Sequence, residues 1–459
     1  MTATPVAGSF RDPSGFVYRR DGVLYRQINR SYRPDYEKLL SSGLYDALVK
    51  SGLLVAHREA PLEVAANAEA FRVIIPELVP FISYPWEWSF SQLRDAALAT
   101  LESQRVALDH GMILKDAAAF NVQFRGSKPV LIDTLSFEEL KEGEPWVGYG
   151  QFCRHFLAPL ALMAHVDVRL QQLLRVYIDG IPLDLARSLL PSRKWWDPSL
   201  LMHINVHGAM SSRVAGSGIE VKKHRRKMSL NALYALTDSL AKAVRSLRWT
   251  PAGEWSDYYE DPEMTSDEAT GEKAGIVESL IGSDAGVVWD IGSNTGLYSN
   301  VAEKSADLVI SIDGDPGAVE RNYLALRSRG GEKIIPLLVD FSNPTPALGW
   351  SSSERESLLG RGPADTTLAL AVVHHFAISN NVPLERLSDF FSAATRRTLI
   401  IEFVPKSDEK VRILLRNRRD IFDTYDEEHF RTAFERHFRI AQRAPLPGTD
   451  RVLFRMERS

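Results

Sequence analysis

Two patterns of apolar positions divide the chain. From residue 286 onward, short continuous apolar runs alternate with polar or helical segments. These runs are Val287–Trp289, Leu308–Ile312, Ile334–Val339, Leu368–Val373 and Thr398–Phe403. Continuous apolar runs separated by helices are typical of a parallel sheet that is covered on both faces. The pattern predicts a doubly wound α/β domain, which a helix at 428–438 and an antiparallel strand at 451–456 complete.

The first part of the chain has a mixed pattern. Residues 1–192 combine short β-rich runs with long helical patterns, which predicts an α+β domain. Residues 193–252 are rich in positive charge, and their last part has apolar residues at helical spacing from Leu230 to Val244. We interpret 193–252 as a basic linker with one docking helix, and 253–459 as the doubly wound domain.

Length and composition agree with a folded protein of two domains. A chain of 459 residues is too long for one ordinary core. No apolar run approaches the roughly 18 residues that cross a bilayer, and the N-terminus lacks the features of a signal peptide. The single Cys153 excludes an intramolecular disulfide and a cysteine zinc site. We therefore expect a cytoplasmic protein without a membrane span.

The charge balance gives no general attraction to nucleic acids. The net charge is −4, so binding to a phosphate backbone would need a local basic patch. One candidate is the run Lys222–Lys227. Six such side chains in a row cannot share one helix face, so a solvated loop or a helix start is the favoured interpretation. Nucleic acid is therefore not the expected partner.

The ends of the first three apolar runs carry a polar constellation. The first run leads into a turn with Asp290, Gly292, Asn294 and Gly296, and a helical pattern follows it. Glycine and asparagine tolerate left-handed backbone, and they let the chain pass close to a ligand. The second run ends at Asp313, about 20 residues after Gly292, where such folds place an acid that binds ribose. The third run ends at Asp340 and Phe341, so three strand ends are expected to meet at one crevice.

This series resembles the class I S-adenosylmethionine-dependent methyltransferases. The resemblance implies that Asp290, Gly292, Asn294 and Gly296 contact the methionine part of the cofactor, Asp313 the ribose, and Asp340 with Phe341 the adenine. A nicotinamide-binding domain is the competing interpretation, but its usual Gly-x-Gly-x-x-Gly differs from this turn. Upstream, Tyr258 and Tyr259 precede a segment that resembles a cofactor-covering helix; they either cover the site or anchor the linker.

Candidate catalytic residues follow the fourth and fifth runs. His374 and His375 come after the fourth run, where this fold places groups that face the substrate, and Glu402 ends the fifth. One histidine could take a proton from a hydroxyl acceptor, or the pair could only pack and hydrogen-bond its loop. Glu402 either orients the substrate or bonds a loop amide. The Asn-Pro-Pro-Tyr motif is absent, which disfavours methylation of nucleic-acid amines and favours an oxygen or carbon acceptor.

A second constellation lies in the N-terminal part. Asp116, Asn121 and Asp133 have a spacing that resembles the catalytic segment of protein kinases and small-molecule phosphotransferases. The resemblance implies a kinase-like α+β domain in which Asp116 orients a hydroxyl, while Asn121 and Asp133 hold magnesium if the site is active. Arg26 stands where a nucleotide-contacting lysine is expected, and no convincing Gly-rich loop precedes it. An active phosphotransferase, a degenerate kinase fold and chance spacing remain open.

Three hypotheses of function follow. The first is a methyltransferase that uses S-adenosylmethionine to methylate a hydroxyl, or a carbon, of a small molecule or sugar-containing metabolite, with the N-terminal domain contributing acceptor binding. The second is a bifunctional enzyme that also phosphorylates its acceptor with Mg-ATP. The third is a cofactor-binding scaffold or RNA-associated protein that uses Lys222–Lys227. The whole chain also resembles bacterial two-part methyltransferases grouped with nodulation proteins, which specifies neither an acceptor nor an oligomeric state.

Overall fold

The computed structural model describes residues 3–192, 200–206, 227–251, 267–416 and 419–459. The chain forms two compact units. The N-terminal unit comprises Met1–Thr250 and Leu348–Arg355, and the C-terminal unit comprises Pro251–Ala347 and Glu356–Ser459. The N-terminal unit is therefore discontinuous in sequence.

The N-terminal unit begins with an antiparallel sheet of strand order β1-β2-β3-β5-β4. Two further antiparallel pairs, β6 with β9 and β7 with β8, follow later in the chain. The strands are β1 (Thr4–Pro5), β2 (Gly15–Arg20), β3 (Val23–Asn29), β4 (His57–Ala60), β5 (Ala70–Pro76), β6 (Met112–Leu114), β7 (Val122–Arg125), β8 (Lys128–Leu131) and β9 (Phe137–Glu139).

Helices pack around these strands. They are α1 (Arg33–Ser41), α2 (Leu44–Lys50), α3 (Phe90–Asp109), α4 (Tyr149–Phe152), α5 (Ala158–His165), α6 (Leu173–Val176), α7 (Leu183–Leu189) and α8 (Leu230–Ser246). The long α3 begins with a capping box, because the Ser89 hydroxyl accepts the Gln92 N–H while the Gln92 side chain accepts the Ser89 N–H. Helix α8 packs on α3, where Arg105 and Asp238 form a 2.8 Å ion pair.

The C-terminal unit is built on a seven-stranded sheet of order β12-β11-β10-β13-β14-β16-β15. Its strands are β10 (Gly286–Ile291), β11 (Ala306–Asp313), β12 (Ile334–Leu338), β13 (Ala364–Ala369), β14 (Thr395–Phe403), β15 (Phe438–Pro445) and β16 (Val452–Arg458). Its helices are α9 (Asp267–Ile281), α10 (Leu297–Glu303), α11 (Pro316–Arg329), α12 (Leu384–Ala394), α13 (Glu409–Leu415) and α14 (Glu427–Phe434).

Strands β10 to β14 are parallel, whereas β16 runs antiparallel to both β14 and β15. Val309 and Ile310 of β11 are fully buried, as expected for a strand covered on both faces. This is the Rossmann-like α/β architecture that the apolar runs predict. The carboxyl ends of its parallel strands lie at one edge, which is where open α/β sheets bind ligands.

Two details differ from the sequence prediction. The fourth strand stops at Ala369 and not at Val373, because Ala371 has a φ of 54° and interrupts the extended chain. His374 and His375 therefore follow a bend, and a π-helical turn spans His375–Ser379.

Among the described residues, no helix is both long and apolar enough to cross a membrane.

Candidate cofactor and acceptor site

A pocket of about 840 Å³ opens at the carboxyl ends of the parallel strands of the C-terminal unit. This volume lies within the range of small-molecule and cofactor sites. Of the cofactor residues predicted from the sequence, the lining includes Gly292, Asn294, Asp313, Asp340 and Phe341. Of the predicted catalytic residues, it includes His374 and His375. The fold thus brings most of the predicted site residues to one cavity.

The turn after β10 depends on two glycines. Gly292 has a φ of +78°, and a Cβ added there would lie 2.2 Å from Cγ1 of Val372. Gly296 has a φ of +88°, and its added Cβ would lie 2.6 Å from Oδ1 of Asn322. Asn294 between them also has a positive φ, of 49°. The turn can be this tight only because both glycines lack a side chain.

Asp290 has a different position from the one expected. Its carboxylate is 1% exposed and is not part of the pocket lining, so it lies beneath the turn and does not face a ligand. The Ser299 hydroxyl donates a 2.7 Å hydrogen bond to Oδ2 of Asp290, which ties the end of β10 to α10. Burial raises the pKa of Asp290 to about 7. Asp290 and Gly296 thus belong to the turn without being part of the pocket lining.

Asp313 joins the end of β11 to the glycine turn. Its carboxylate accepts the backbone N–H of Asn294 at 2.8 Å and that of Asp315 at 2.8 Å. Burial raises the pKa of Asp313. These two hydrogen bonds hold the carboxylate in a fixed orientation at the wall of the pocket.

The end of β12 contributes Asp340 and Phe341. Oδ1 of Asp340 accepts the backbone N–H of Ser342 at 2.8 Å, which fixes the loop. The ring of Phe341 stands edge-on to Phe376, with 6.3 Å between ring centroids. Both rings line the pocket, so this side of the cavity offers an apolar aromatic surface.

His374 and His375 lie side by side, with ring centroids 4.2 Å apart. Burial, together with the charge of His375 and that of Arg451, lowers the pKa of His374 to about 3. Burial also lowers the pKa of His375. His374 is 2% exposed, and its Nδ1 has no hydrogen-bond partner among the described residues. A neutral imidazole with so low a pKa is a poor proton acceptor, so the structure favours the alternative in which the histidine pair packs against its loop.

An ion-pair network that the sequence analysis did not identify lies beside the histidines. Glu402 is fully buried at the end of β14 and accepts a 2.5 Å bond from Nζ of Lys273. Arg451 contacts Glu402 at 3.5 Å and Asp408 at 2.7 Å. Lys273, Asp408 and Arg451 line the pocket, whereas Glu402 does not and lies behind them. Glu402 thus fixes two cations of the pocket wall.

No local sequence signal points to this network. Asp408 and Arg451 both stand in loops at the strand ends that form the pocket edge, the first after β14 and the second before β16. Their pairing links positions that are 43 residues apart, and no local pattern encodes that distance. Lys410 on α13 completes the cations of this wall.

The second group of predicted site residues also lies close together, within the N-terminal unit. The Asn121 side chain hydrogen-bonds Asp116, and burial and the charge of Asp133 raise the pKa of Asp116. Oδ1 of Asp133 lies 2.5 Å from Nη2 of Arg26, and both side chains are largely buried. Arg26 on β3 therefore occupies one face of the carboxylate that was expected to hold magnesium. No group of three or more His, Cys, Asp or Glu side chains suited to a metal ion occurs among the residues described.

Some predicted residues fall outside the described ranges. Tyr258 and Tyr259 lie outside these ranges. Of the basic run Lys222–Lys227, the structure describes only Lys227, which is exposed. The proposals that depend on them stay predictions.

Comparison with known proteins identifies a relative over nearly the whole length. The chain is 34% identical over 461 residues to nodulation protein NoeA of Rhizobium meliloti (strain 1021), covering 99% of this chain and 96% of the relative. The chain belongs to the NoeA family of nodulation proteins. No protein-family model matches it.

Solved structures that resemble the chain are S-adenosylmethionine-dependent methyltransferases. The magnesium protoporphyrin IX methyltransferase ChlM of Synechocystis PCC 6803 with bound SAM is 19% identical, with 42% of this chain and 79% of that chain covered and a TM-score of 0.29. The N-methyltransferase NodS of Bradyrhizobium japonicum WM9 with S-adenosyl-L-homocysteine is 13% identical, with 43% and 90% covered and a TM-score of 0.33. Such low scores carry no weight for function, which has to be argued from the pocket itself.

Proposed function

We propose that this NoeA-family protein is a methyltransferase that uses S-adenosylmethionine in its C-terminal unit. The observation that carries the proposal is the pocket at three adjacent strand ends, which joins the glycine turn, Asp313 and the Asp340–Phe341 pair. The strand order supports it as well. A dinucleotide-binding sheet has the order 3-2-1-4-5-6, whereas here the antiparallel β16 is inserted between β14 and β15.

The residues present fit the cofactor. The two oxygens of Asp313 suit two neighbouring hydroxyl groups, as in a ribose, and its hydrogen bonds to Asn294 and Asp315 hold them in place. Phe341 and Phe376 offer an apolar surface for a flat base. Lys273 lies 5.1 Å from the ring centroid of Tyr298, near the start of α10, where it suits the carboxylate of a methionine moiety.

The bound cofactor supplies an electrophilic methyl group on a sulfonium centre. The chain then has to hold an acceptor atom in line with that methyl group and to exclude water. Residues after β13 and β14 and just before β16 do this in our proposal, since His374, Asp408 and Arg451 border the rest of the pocket. We propose a small-molecule or sugar-containing acceptor that reacts through oxygen, with carbon as the alternative, and we propose that the N-terminal unit contributes to acceptor binding.

Calorimetric titration of the full chain with S-adenosylhomocysteine and, separately, with NAD tests the nucleotide class. We expect saturable one-site binding of S-adenosylhomocysteine and no heat of binding with NAD. If NAD binds and S-adenosylhomocysteine does not, the dinucleotide interpretation replaces ours.

A second candidate function, phosphoryl transfer, concerns the N-terminal unit. The strand order β1-β2-β3-β5-β4, the hydrogen bond between Asp116 and Asn121, and the nearby Asp133 favour a kinase-like fold. The ion pair between Arg26 and Asp133 argues against magnesium binding, because the guanidinium already neutralises the carboxylate. We therefore propose a degenerate kinase-like unit in preference to a bifunctional kinase-methyltransferase.

Thermal unfolding in the presence of Mg-ATP tests this preference. A ligand present at 100 times its Kd stabilises a protein by about 2.7 kcal/mol, which is readily measured as a shift in Tm. We expect no shift with millimolar Mg-ATP. A shift that disappears when Mg²⁺ is left out would support the bifunctional alternative.

A further inference from the structure

The part of the pocket near the ends of β13 and β14 has a distinctive charge pattern. It is bordered by the cations Lys273, Lys410 and Arg451, with the carboxylates of Asp408 in the wall and Glu402 behind it. Lys273 is the cation that we assign to the cofactor, and Lys410 and Arg451 are the N–H donors that this wall offers to an acceptor. By contrast, Asp313, Asp315 and Asp340 lie at the ends of β11 and β12, which makes that side acidic.

Arg451 is held in a defined orientation at this wall. Its Nε and Nη2 donate to the two oxygens of Asp408 at 2.7 and 3.1 Å, and its Nη1 lies 3.5 Å from Glu402. These contacts fix the guanidinium of Arg451 in one orientation, and a guanidinium recognises carboxylates through the N–H groups in its plane. Arg451 also lies close enough to His374 for its charge to lower the pKa of that histidine.

Apolar side chains form the rest of this wall. Ile413 and Leu414 of α13 and Leu446, just after β15, line the pocket. Ile413 is 50% exposed, so an apolar part of a ligand in the pocket would have surface to pack against. An occupant of this space is therefore expected to combine an anionic group with an apolar body.

The same wall lacks a proton acceptor of suitable strength. The pKa of His374 is lowered to about 3, and burial lowers that of His375. The pKa of Asp408 is also below its ordinary value: burial raises it, and the hydrogen bond and charge of Arg451 outweigh that effect. A hydroxyl acceptor needs a base to remove its proton, whereas an acceptor that is already ionised at neutral pH needs none.

We propose that the acceptor is an amphipathic carboxylic acid, that Arg451 and Lys410 bind its carboxylate, and that the reaction forms a methyl ester. This inference rests on the proposed methyltransferase function and specifies that the reacting oxygen belongs to a carboxylate and not to a hydroxyl. A carboxylate oxygen forms the new C–O bond while the bond between methyl carbon and sulfur breaks, and the electron pair of that bond stays on sulfur. The negative carboxylate and the positive sulfonium both become neutral, so charge balances and no proton is released.

The apolar wall favours such a reaction. Opposite charges partly cancel as the new bond forms, so the transition state is less polar than the bound ions. Ile413, Leu414 and Leu446 border this space, and an acceptor with an apolar body that covers them would reduce the hydration of the two ions.

Binding to the protein saturated with S-adenosylhomocysteine tests the inference without any turnover. We propose calorimetric titration of the full chain with octanoate and with the matched alcohol 1-octanol. Octanoate is expected to bind at least tenfold more tightly than the alcohol, since only the carboxylate can form charge-assisted hydrogen bonds with Arg451 and Lys410. Equal affinities, or no binding of octanoate, would overturn the carboxylate proposal.

Variants assign the effect to these side chains. Lys410→Gln and Arg451→Gln should each weaken octanoate binding about tenfold and leave the affinity for S-adenosylhomocysteine within twofold. Lys410 is half-buried on α13, so its variant keeps the test valid if Arg451→Gln fails to fold. The control is Arg443→Gln, which removes an exposed arginine of β15 that pairs with Glu427 outside the pocket. If the two pocket variants lose S-adenosylhomocysteine instead of octanoate, these cations serve the cofactor and the inference is wrong.

A labelling experiment tests the product. The full chain is incubated with S-adenosylmethionine carrying a tritiated methyl group and with the organic-acid fraction of a bacterial extract. Methyl esters release volatile labelled methanol in mild alkali, whereas methyl ethers and C-methyl groups do not. Alkali-labile label supports the inference; alkali-stable label, or no label in the acid fraction, counts against it. A protein that does not bind S-adenosylhomocysteine at all would instead refute the proposed function.

Discussion

Asp133 lies just after β8 and Asp313 at the end of β11, each in a site predicted from the sequence, and their surroundings differ. Asp133 of the N-terminal unit forms a 2.5 Å ion pair with Arg26. Asp313 of the C-terminal unit accepts backbone N–H groups of Asn294 and Asp315 and lines an open pocket. The first carboxylate is neutralised by the fold, whereas the second is fixed in place with its charge available to a ligand. A motif of acidic residues does not distinguish the two cases, but the partner of the carboxylate does.

The largest effect on stability is expected from breaking the ion pair between Arg26 and Asp133. Arg26→Met leaves the largely buried Asp133 without its cation, and removal of one partner from a buried pair costs about 3–5 kcal/mol. We expect the free energy of unfolding, measured by urea denaturation, to fall by that amount. The double variant Arg26→Met/Asp133→Leu should recover most of the loss, because no unpaired charge remains. A loss no greater than that of the exposed control Arg58→Met on β4 would contradict the assigned role.

The glycine turn of the open site is the next point to test. Gly292→Ala places a Cβ 2.2 Å from Val372 Cγ1, at a φ of +78°. Relief of this clash has to displace the turn or the loop of Val372, and overpacking of this kind costs about 1–3 kcal/mol. We expect the affinity for S-adenosylhomocysteine, measured by calorimetry, to fall about 100-fold.

Gly282→Ala is the matched control for this variant. Gly282 has a similar φ of +79°, and an added Cβ would meet no atom within 4 Å. It introduces the same backbone strain without the clash. Equal affinities in the two variants would show that the contact with Val372 does not matter for the cofactor.

A smaller effect is expected at Asp313, which lines the pocket and which we propose binds the cofactor. Asp313→Asn keeps the size of the side chain and removes its charge, so a hydroxyl of the cofactor loses a charge-assisted hydrogen bond worth about 1.5–3 kcal/mol. The affinity for S-adenosylhomocysteine should fall at least tenfold in calorimetric titration. Asp307→Asn, on the exposed part of the same strand, should leave the affinity unchanged. If both variants bind like the wild type, Asp313 does not contact the cofactor.

The smallest expected effect is a pH dependence of stability caused by Asp290, which, unlike Asp313, does not line the pocket. The pKa of Asp290 is about 7 in the folded protein and about 3.9 in the unfolded chain, so the folded state holds its proton more tightly. Stability from this group is full below pH 4 and is lost as the pH rises towards 7. Between pH 6 and pH 7 the wild type should lose about 1 kcal/mol more than Asp290→Asn. Urea denaturation at both pH values measures the difference; parallel changes would contradict the raised pKa.

The sequence predicted the sheet of the C-terminal unit well. Continuous apolar runs define buried strands, and a strand end next to Gly292, Asp313 or Asp340 is a local signal. Four of the five predicted runs coincide with β10, β11, β12 and β14 to within a few residues. The exception is the fourth run. Its apolar residues continue past Ala369, although the positive φ of Ala371 ends the extended conformation.

The rest depended on contacts between distant parts of the chain. Asp290 looked like a cofactor ligand because its position in the motif does not reveal that Ser299 covers it. Arg451 and Asp408 carry no local motif, and they become a pair only when β16 is inserted beside β14. The neutralisation of Asp133 by Arg26 likewise requires that two distant segments meet. Sequence patterns give element types and strand ends, whereas charge balance within a site depends on long-range pairing.

The discontinuity of the N-terminal unit has a practical consequence. Leu348–Arg355 belongs to this unit, and within it Glu354 pairs with Arg11 at 2.7 Å while the Arg355 guanidinium lies 4.2 Å from the ring centroid of Phe120. A fragment that ends at Thr250 would lack both side chains and leave Arg11 without its acidic partner. Dividing this protein into halves at the apparent border would therefore yield an incomplete body, so each half is best studied by substitutions within the intact chain.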